Sequence, residues 1–246
     1  VLSGHKTKSK KPILANDPHI LFSCPSVWHE AHIKTPDFEL YGHHIAGIPT
    51  ALLGHNKKMG WGITMLENNQ LNFFKERFNK KNQVLYNNQW VNPKEYKETI
   101  QVKNSPDESL TVRHTPHGPI ITDVMDDYYK GEDSISMSWE YDTLDNDLLD
   151  IFYKISHCQE DLSQIKAQID RIKSPGFNFI YANTIGDIAW WTAGNIQVSK
   201  SNEPLKLILD GNKLSSDTIR LLENHEKPHK VNPPKGFIVT ANDKPS

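Results

Sequence analysis

Histidine pairs are the first residues whose types could support metal chemistry in this sequence of 246 residues. His29 and His32 are three residues apart, and His43 and His44 are adjacent. The residues around them predict strands, in which positions one or three apart point to opposite faces. Rings on opposite faces cannot bind the same zinc ion. The sequence therefore argues against a metal site, and a zinc hydrolase using His29 and His32 is a minor alternative.

Other familiar catalytic patterns do not occur in the sequence. It contains no G-x-S-x-G nucleophile elbow, no GK[ST] phosphate loop and no H-E-x-x-H zinc motif. Two polar segments stand out instead: Asn16 to His19, and Thr240 to Lys244. Taken alone, His19 has the properties of a loop histidine, and Asn242 those of a turn residue.

Short strands predominate among the elements that must position these residues. Apolar alternation between Gly, Pro and Asn clusters predicts strands over 27–33, 38–41, 51–53, 61–65, 71–78 and 237–240. Residues 177–182 and 188–192 flank a turn containing Gly186 and predict a hairpin. Apolar residues at steps of three and four predict an amphipathic helix over 161–173, ending before Pro175, and a shorter helix is predicted over 145–155. This order of elements favours an α+β fold.

Composition excludes several classes of partner. The chain carries 28 basic and 30 acidic side chains and a net charge of -2, so no one-sided field favours nucleic acid or an anionic membrane. Cys24 and Cys158 are too few for a disulfide scaffold. We expect two separate buried thiols, although one bridge could form if the fold brought them together. The chain starts at Val1 without Met, and we expect it to be an internal part of a longer precursor.

Two longer segments resemble a known enzyme family. Leu14 to His19, followed by Pro25 to His32, is similar to the LANDPHL and P-S-x-W-x-E-x-H run of penicillin acylases and their relatives, the acyl-homoserine lactone and cephalosporin acylases. Further matches keep the same order: Gly47 to Pro49, Gly54 to Asn56, Trp61 to Gly62 with Thr64, and Thr240 to Pro245. The resemblance is strong over 12–78 and 177–246 and weak between.

The resemblance implies an N-terminal nucleophile hydrolase fold, an αββα four-layer sandwich. It also implies that residues 1–246 are one region of the acylase β-chain. Residues 1–78 and 177–246 would form the nucleophile-hydrolase core, residues 79–140 a variable β-rich insertion and residues 141–176 a helical segment.

The resemblance further implies an amidase mechanism with a nucleophile outside this chain. The family's β-chain opens with Ser-Asn-x-Trp, which would place the serine roughly four residues before Val1. Ser3 cannot replace it, because a serine inside the chain lacks the free α-amine that accepts the hydroxyl proton. His19 matches the residue beside that serine, the Met65 N–H matches an oxyanion donor, and Asn242 matches the side-chain donor. We expect this chain alone to be inactive.

The residues that match the family's acyl pocket are apolar: Ile20, Leu53, Ile63 and Met65. They favour a flexible apolar acyl group, as on penicillins or homoserine lactones. The alternative is that the same side chains are core residues of two strands, since pockets and cores share this composition.

Calcium is the metal that many relatives hold. The matching positions here are Asn69, Leu71, Asn72 and Pro204. Neutral amides at Asn69 and Asn72 bind calcium more weakly than carboxylates. Asp or Glu of a partner chain could partly compensate, so a calcium site stays open, but we expect no required cofactor.

The resemblance also implies partners and a location. The expected partners are an α-chain from the same precursor and a small-molecule amide substrate, and the expected location is the periplasm or the exterior. The alternative from another class is a catalytically silent binding or scaffold protein with the same fold.

Overall fold

The computed structural model of the protein describes residues 1–125, 131, 133–143, 147–200, 207–213 and 219–244. These residues form two compact units. Unit 1 is built from the described parts of 1–68, 144–196 and 222–246, and unit 2 from those of 69–143 and 197–221.

Strands outnumber helices in the described residues. In chain order, the strands are β1 Trp28–Lys34, β2 Glu39–Ile45, β3 Leu53–His55, β4 Met59–Met65, β5 Leu71–Glu76, β6 Val84–Tyr86, β7 Gln89–Val91, β8 Lys94–Ile100, β9 Glu108–Thr115, β10 Gly118–Pro119, β11 Ser134–Trp139, β12 Phe177–Asn183, β13 Ile188–Ala193, β14 Gln197–Ser199, β15 Ile208–Asp210, β16 Ile219–Leu221 and β17 His229–Val231. The helices are α1 Glu140–Thr143, α2 Leu148–His157 and α3 Leu162–Ile169, with 3-10 turns at Gly4–Lys6 and Ile121–Val124. The molecule therefore combines both element types and is mostly sheet.

Unit 1 is organised around a seven-stranded sheet of order β1-β2-β3-β4-β12-β13-β17. All its neighbouring strands are antiparallel. The strands predicted over 27–33, 38–41 and 61–65 are confirmed as β1, β2 and β4, with shifted ends, whereas the strand predicted over 51–53 shares only Leu53 with β3. The predicted hairpin is confirmed as β12 and β13. Its turn contains Gly186 at φ +117°, where a side chain would be strained.

Helices α2 and α3 pack on one face of this sheet. Asp147 and Asp161 cap them, because their carboxylates accept the N–H groups of Asp150 and Ser163. The helix predicted over 145–155 is confirmed with shifted ends, although residues 144–146 lie outside the described part. The helix predicted over 161–173 is confirmed only as far as Ile169.

The early end of α3 has a local cause. After Ile169 the backbone bonds shorten to steps of three residues, from Arg171 N–H to Gln168 and from Ile172 N–H to Ile169. Ile172 stays fully buried in the same core. Ile172 therefore fits the helical spacing of apolar residues in the sequence, although the helix itself ends at Ile169.

The two faces of the sheet bury different side chains. Odd-numbered residues of β4, β12 and β13 join the residues of α2 and α3 in one apolar cluster. Its main members are Trp61, Ile63, Ile151, Phe152, Ile155, Ile165, Ile169, Ile172, Phe177, Phe179, Tyr181 and Trp191. Even-numbered residues face the terminal segments, where Ala182, Ile188 and Ile238 pack with Val1, Leu14 and Trp190.

The strand predicted over 237–240 is wrong. Only Phe237 forms a bridge, with Leu2, and Ile238 exchanges backbone bonds with Val1. Val239 is 79% exposed. The last strand in the described residues is β17. The apolar residues of 237–240 instead form a short contact with the amino-terminal segment.

Unit 2 contains four small sheets, of order β10-β9-β8, β11-β5-β15, β14-β16 and β6-β7. The strand predicted over 71–78 is confirmed as β5. At the end of β5, Glu76 is buried, and its Oε1 accepts bonds from the hydroxyls of Thr115 (2.8 Å) and Ser136 (2.6 Å) and faces His117 Nδ1 at 3.2 Å. This buried polar network links β5, β9 and β11.

The two cysteines are separate, as expected, and both are free. Cys158 is buried, and burial raises the pKa of its thiol, with a smaller effect from Asp161. The expectation that both are buried is wrong for Cys24, which is exposed. Over the residues described, helices are too short or too polar to cross a bilayer.

Candidate active site

Met65 is the last residue of β4 and directs its N–H away from β12. Leu66 N–H donates to Gly176 O at 3.1 Å, and antiparallel pairing alternates in direction along a strand. The N–H groups of residues 62, 64 and 66 therefore face β12, whereas those of Ile63 and Met65 face the other side. The Met65 side chain is 50% exposed. The Met65 N–H is thus a backbone donor on the side of β4 away from β12, at an accessible strand end.

Asn16 fixes the His19 loop to this side of β4. Its Oδ1 accepts the Ile63 N–H at 3.1 Å, and its Nδ2 donates to Ile63 O at 3.1 Å. The amide thus takes the place of a neighbouring strand for one residue. A Cβ on Gly62 would lie 2.7 Å from the Asn16 side chain, so this contact requires glycine at position 62.

His19 lies in the exposed loop that follows. Its Nε2 is 2.9 Å from Asp17 Oδ2, and both side chains are more than four-fifths exposed. It is three positions along the chain from Asn16, which limits its distance from that anchor to about 10 Å. His19 therefore lies within one short loop of the Ile63 backbone.

Asn242 lies in a carboxy-terminal segment that is fixed to the same strand end. Thr64 Oγ1 donates to Ala241 O at 2.5 Å, and Glu67 N–H donates to Asp243 O at 3.4 Å. Asp243 Oδ2 in turn accepts the Ala241 N–H at 3.1 Å. The Asn242 side chain is exposed between these two tied residues.

The structure therefore brings the three predicted catalytic residues to one region of unit 1. The His19 loop is anchored at Ile63, the Asn242 segment at Thr64, and Met65 follows. The role of each residue in a reaction remains a prediction.

Asn178 was not found by the sequence analysis, although it touches this region. Its Nδ2 donates to Met65 O at 3.0 Å and to Ala241 O at 3.2 Å. A usable signal was present, because Asn178 is an amide between phenylalanines in an otherwise apolar run. Such a buried amide needs partners.

The residues of the predicted acyl pocket fall into two environments. Leu53 and Ile63 are buried members of the apolar cluster of unit 1. Ile20 and Met65 are half-exposed. The structure thus places two of them in a core and two at the surface beside the candidate site, and the pocket remains a prediction.

The calcium-matching positions lie in unit 2, except where they fall outside the description. Asn72 Nδ2 donates to Gln197 Oε1 at 2.9 Å. Asn69 and Leu71 lie at the start of β5 or just before it. Pro204 lies outside the described residues. Within the described ranges no three His, Cys, Asp or Glu side chains converge as a metal site would require.

The histidine pairs occupy different faces, as the sequence predicts. Across β1 and β2, His29 lies opposite His44, and His32 lies opposite Tyr41. His29 and His32 are three positions apart in the regularly paired strand β1, so alternation along the strand points them to opposite sides. His32 instead lies 3.1 Å from Glu39, where it helps lower the pKa of that carboxyl through their hydrogen bond.

Comparison with known proteins places the chain in a family. A family model described as penicillin amidase matches residues 1–246. The chain belongs to the penicillin amidase family. Members of this family hydrolyse amides, and amide hydrolysis is the reaction class that the resemblance in sequence implied.

Several penicillin amidase relatives align along the chain. Penicillin G acylase of Escherichia coli is 26% identical over 248 residues, covering 100% of this chain and 28% of the relative. Acyl-homoserine lactone acylase QuiP of Pseudomonas fluorescens is 24% identical over 246 residues, covering 99% of this chain and 29% of the relative. The chain thus spans less than a third of the length of these curated relatives.

A solved structure shows the fold. A thermostable penicillin G acylase from Alcaligenes faecalis matches with a TM-score of 0.78 at 21% identity, covering 93% of this chain and 41% of that chain. This family member therefore shares the fold of a penicillin acylase, as the resemblance in sequence implied.

Proposed function

We propose that the parent protein hydrolyses a linear amide that joins an apolar acyl group to an amine, such as a β-lactam nucleus or a homoserine lactone. One observation carries the proposal. Asn16 and Thr64 anchor the His19 loop and the Asn242 segment at adjacent residues of β4, next to the Met65 N–H. A backbone donor and a side-chain amide in one place are what a tetrahedral oxyanion needs.

The proposed nucleophile is a serine that precedes Val1 in the parent protein. Its hydroxyl oxygen attacks the amide carbon, and its own α-amine takes the hydroxyl proton. Met65 N–H and the Asn242 amide stabilise the negative oxygen, and His19 holds the serine in place. The C–N bond breaks as the leaving amine gains the proton, and water then hydrolyses the acyl-enzyme to a free acid.

The relatives and the exposed apolar residues support an apolar acyl group. The names of the relatives are those of acylases of penicillin and of acyl-homoserine lactone. Ile20 and Met65 present half-exposed apolar side chains near the proposed oxyanion donors. They would contact the acyl chain rather than the leaving amine.

The proposal extends to the wider arrangement that the resemblance implies. We include in the proposal the αββα four-layer sandwich, the segment boundaries given above, an α-chain from the same precursor and a periplasmic or secreted location. The short coverage of the relatives supports the need for further chain.

Asn242→Ala in the full-length, processed protein tests the proposal. The variant loses one oxyanion donor, so kcat on a chromogenic amide should fall about 10²- to 10³-fold. The measurement is initial rate against a panel of amides that differ in acyl length.

Asn232→Ala is the control variant. Asn232 is an amide of unit 1 whose Nδ2 donates to Asp187 Oδ1 at 2.8 Å, apart from the candidate site. Its substitution should leave kcat within about twofold. A processed protein that releases no amine from any amide would instead support the silent binding or scaffold protein. An active protein whose Asn242→Ala variant is as fast as Asn232→Ala would contradict the role of Asn242 as an oxyanion donor.

A further inference from the structure

Asn178 occupies the centre of a buried strand face and is fully satisfied there. It lies in β12 opposite Thr64 of β4 and has no exposed surface. Burying an amide without partners costs several kcal/mol in transfer experiments, roughly 2 to 7. Each end of this amide therefore needs a partner.

Trp190 fixes the orientation of the Asn178 amide. The indole Nε1–H, which can only donate, donates to Asn178 Oδ1 at 3.0 Å. The Nδ2 end faces three carbonyl oxygens, which can only accept: those of Met65, Ala241 and Asp243, at 3.0, 3.2 and 3.4 Å. A flipped amide would lose all of these bonds, so a single orientation is possible.

The three carbonyls belong to two segments that are far apart in sequence. Met65 ends β4, whereas Ala241 and Asp243 flank Asn242. One amide group thus spans the gap between the two oxyanion donors that the proposed reaction uses.

We propose that Asn178 is a positioning residue of the reaction, which holds the Met65 and Asn242 donors at a fixed separation. This inference rests on the proposed function. Asn178 touches neither substrate nor nucleophile in the proposed reaction. It acts through the Met65 carbonyl and through the carbonyls on either side of Asn242. Oxyanion donors act only if their geometry is preorganised, so a shift in separation should affect the transition state more than substrate binding.

Asn183 offers a matched control on the same strand. It is 4% exposed, and its Nδ2 donates to Glu160 O at 3.1 Å and Asp187 Oδ2 at 2.9 Å. It lies five residues from Asn178, or about 17 Å along the strand. Its loss should destabilise unit 1 without reaching the donors.

The experiment compares Asn178→Asp with Asn183→Asp in the full-length, processed enzyme. Aspartate keeps the shape and the Oδ1 acceptor for Trp190 but loses the two N–H donors. We expect Asn178→Asp to lower kcat at least about tenfold and to change KM by less than about twofold, because the loss falls on the transition state. Asn183→Asp should leave kcat within about twofold, even at an equal loss of melting temperature.

Trp190→Phe keeps the test valid if Asn178→Asp does not fold. It removes the donor that orients the amide and retains an aromatic ring, so kcat should fall in the same direction by a smaller factor. Equal kcat in wild type, Trp190→Phe and every folded Asn178 variant would overturn the inference. A wild type without activity would overturn the proposed function itself, and an active wild type that depends on Asn242 but not on Asn178 would overturn only the positioning role.

Discussion

At the residue scale, side-chain amides form hydrogen bonds that the backbone of a neighbouring strand would otherwise form. Asn16 pairs with both backbone groups of Ile63, where β3 no longer covers β4. The bond pattern is that of a strand, but it leaves the following residues free to form a loop. The candidate site therefore depends on single side chains as much as on the sheet.

Gly62→Ala tests the Asn16 contact. The new Cβ would lie 2.7 Å from the Asn16 side chain, so the amide must move away from Ile63. Overpacking of this kind lowers the free energy of unfolding by about 1 to 3 kcal/mol. The displaced loop should also lower kcat in the full-length enzyme, and urea unfolding with initial rates measures both effects.

Gly60→Ala is the control for this prediction. A Cβ there would have ordinary contacts, at 3.5 Å from His55 Cβ and 3.6 Å from Gly54 O. It should be neutral within about 0.5 kcal/mol. If Gly60→Ala and Gly62→Ala behave alike, the glycine at position 62 has no special part in anchoring the loop.

The sequence could name His19, Met65 and Asn242 only through resemblance, because composition gives each an ordinary role. The contacts that bring them together are long-range. Asn16 forms hydrogen bonds with Ile63, 47 positions away, and Asn178 donates to Ala241, 63 positions away. Nothing in local periodicity encodes such partners, and this is why Asn178 was missed.

At the element scale, strands and helices were predictable where burial is periodic. β4, the β12 and β13 hairpin and both longer helices follow from apolar spacing and turn residues. Their ends do not, because capping and short-step backbone bonds decide them, as after Ile169. Residues 237–240 carry a strand-like composition, but Phe237 forms only a bridge with Leu2, and Ile238 exchanges backbone bonds with Val1 alone.

Ile165→Ala tests the separation between the helical face and the candidate site. Ile165 of α3 is fully buried against odd-numbered strand residues, on the face opposite Asn178. Its truncation should lower the free energy of unfolding by about 2 to 5 kcal/mol. The kcat of the folded full-length enzyme should stay within about twofold.

Exposed Gln164 gives the matched control on the same helix. Gln164→Ala should change stability by no more than about 0.5 kcal/mol. Urea unfolding and initial rates apply to both variants. A large loss of kcat in folded Ile165→Ala would contradict the separation of the two faces.

At the scale of the whole molecule, the fold of a penicillin acylase was predictable from the resemblance in sequence. The insertion predicted over 79–140 stays a prediction, and the compact unit 2 is built from the described parts of 69–143 and 197–221. A unit built from two distant segments cannot be recognised from local composition. The Glu76 network within it likewise joins residues up to 60 positions apart.

The proposed dependence on further chain is testable at this scale. Residues 1–246 produced alone should release no amine from a chromogenic amide, whereas the full-length precursor, once processed, should do so. The reason is that the proposed reaction needs a free-amine serine that precedes Val1. Turnover by the isolated chain that is lost in its Asn242→Ala variant would contradict this account.

The Asn178 bridge has a consequence for the tolerance of substitutions. All three of its acceptors are carbonyl oxygens of the main chain, and every residue type supplies the same oxygen. The side chain at position 65 can therefore be exchanged without removing a bond that fixes the donors. Substitutions at position 65, in evolution or in a mutant library, could then change acyl selectivity while the separation of the two oxyanion donors stays the same.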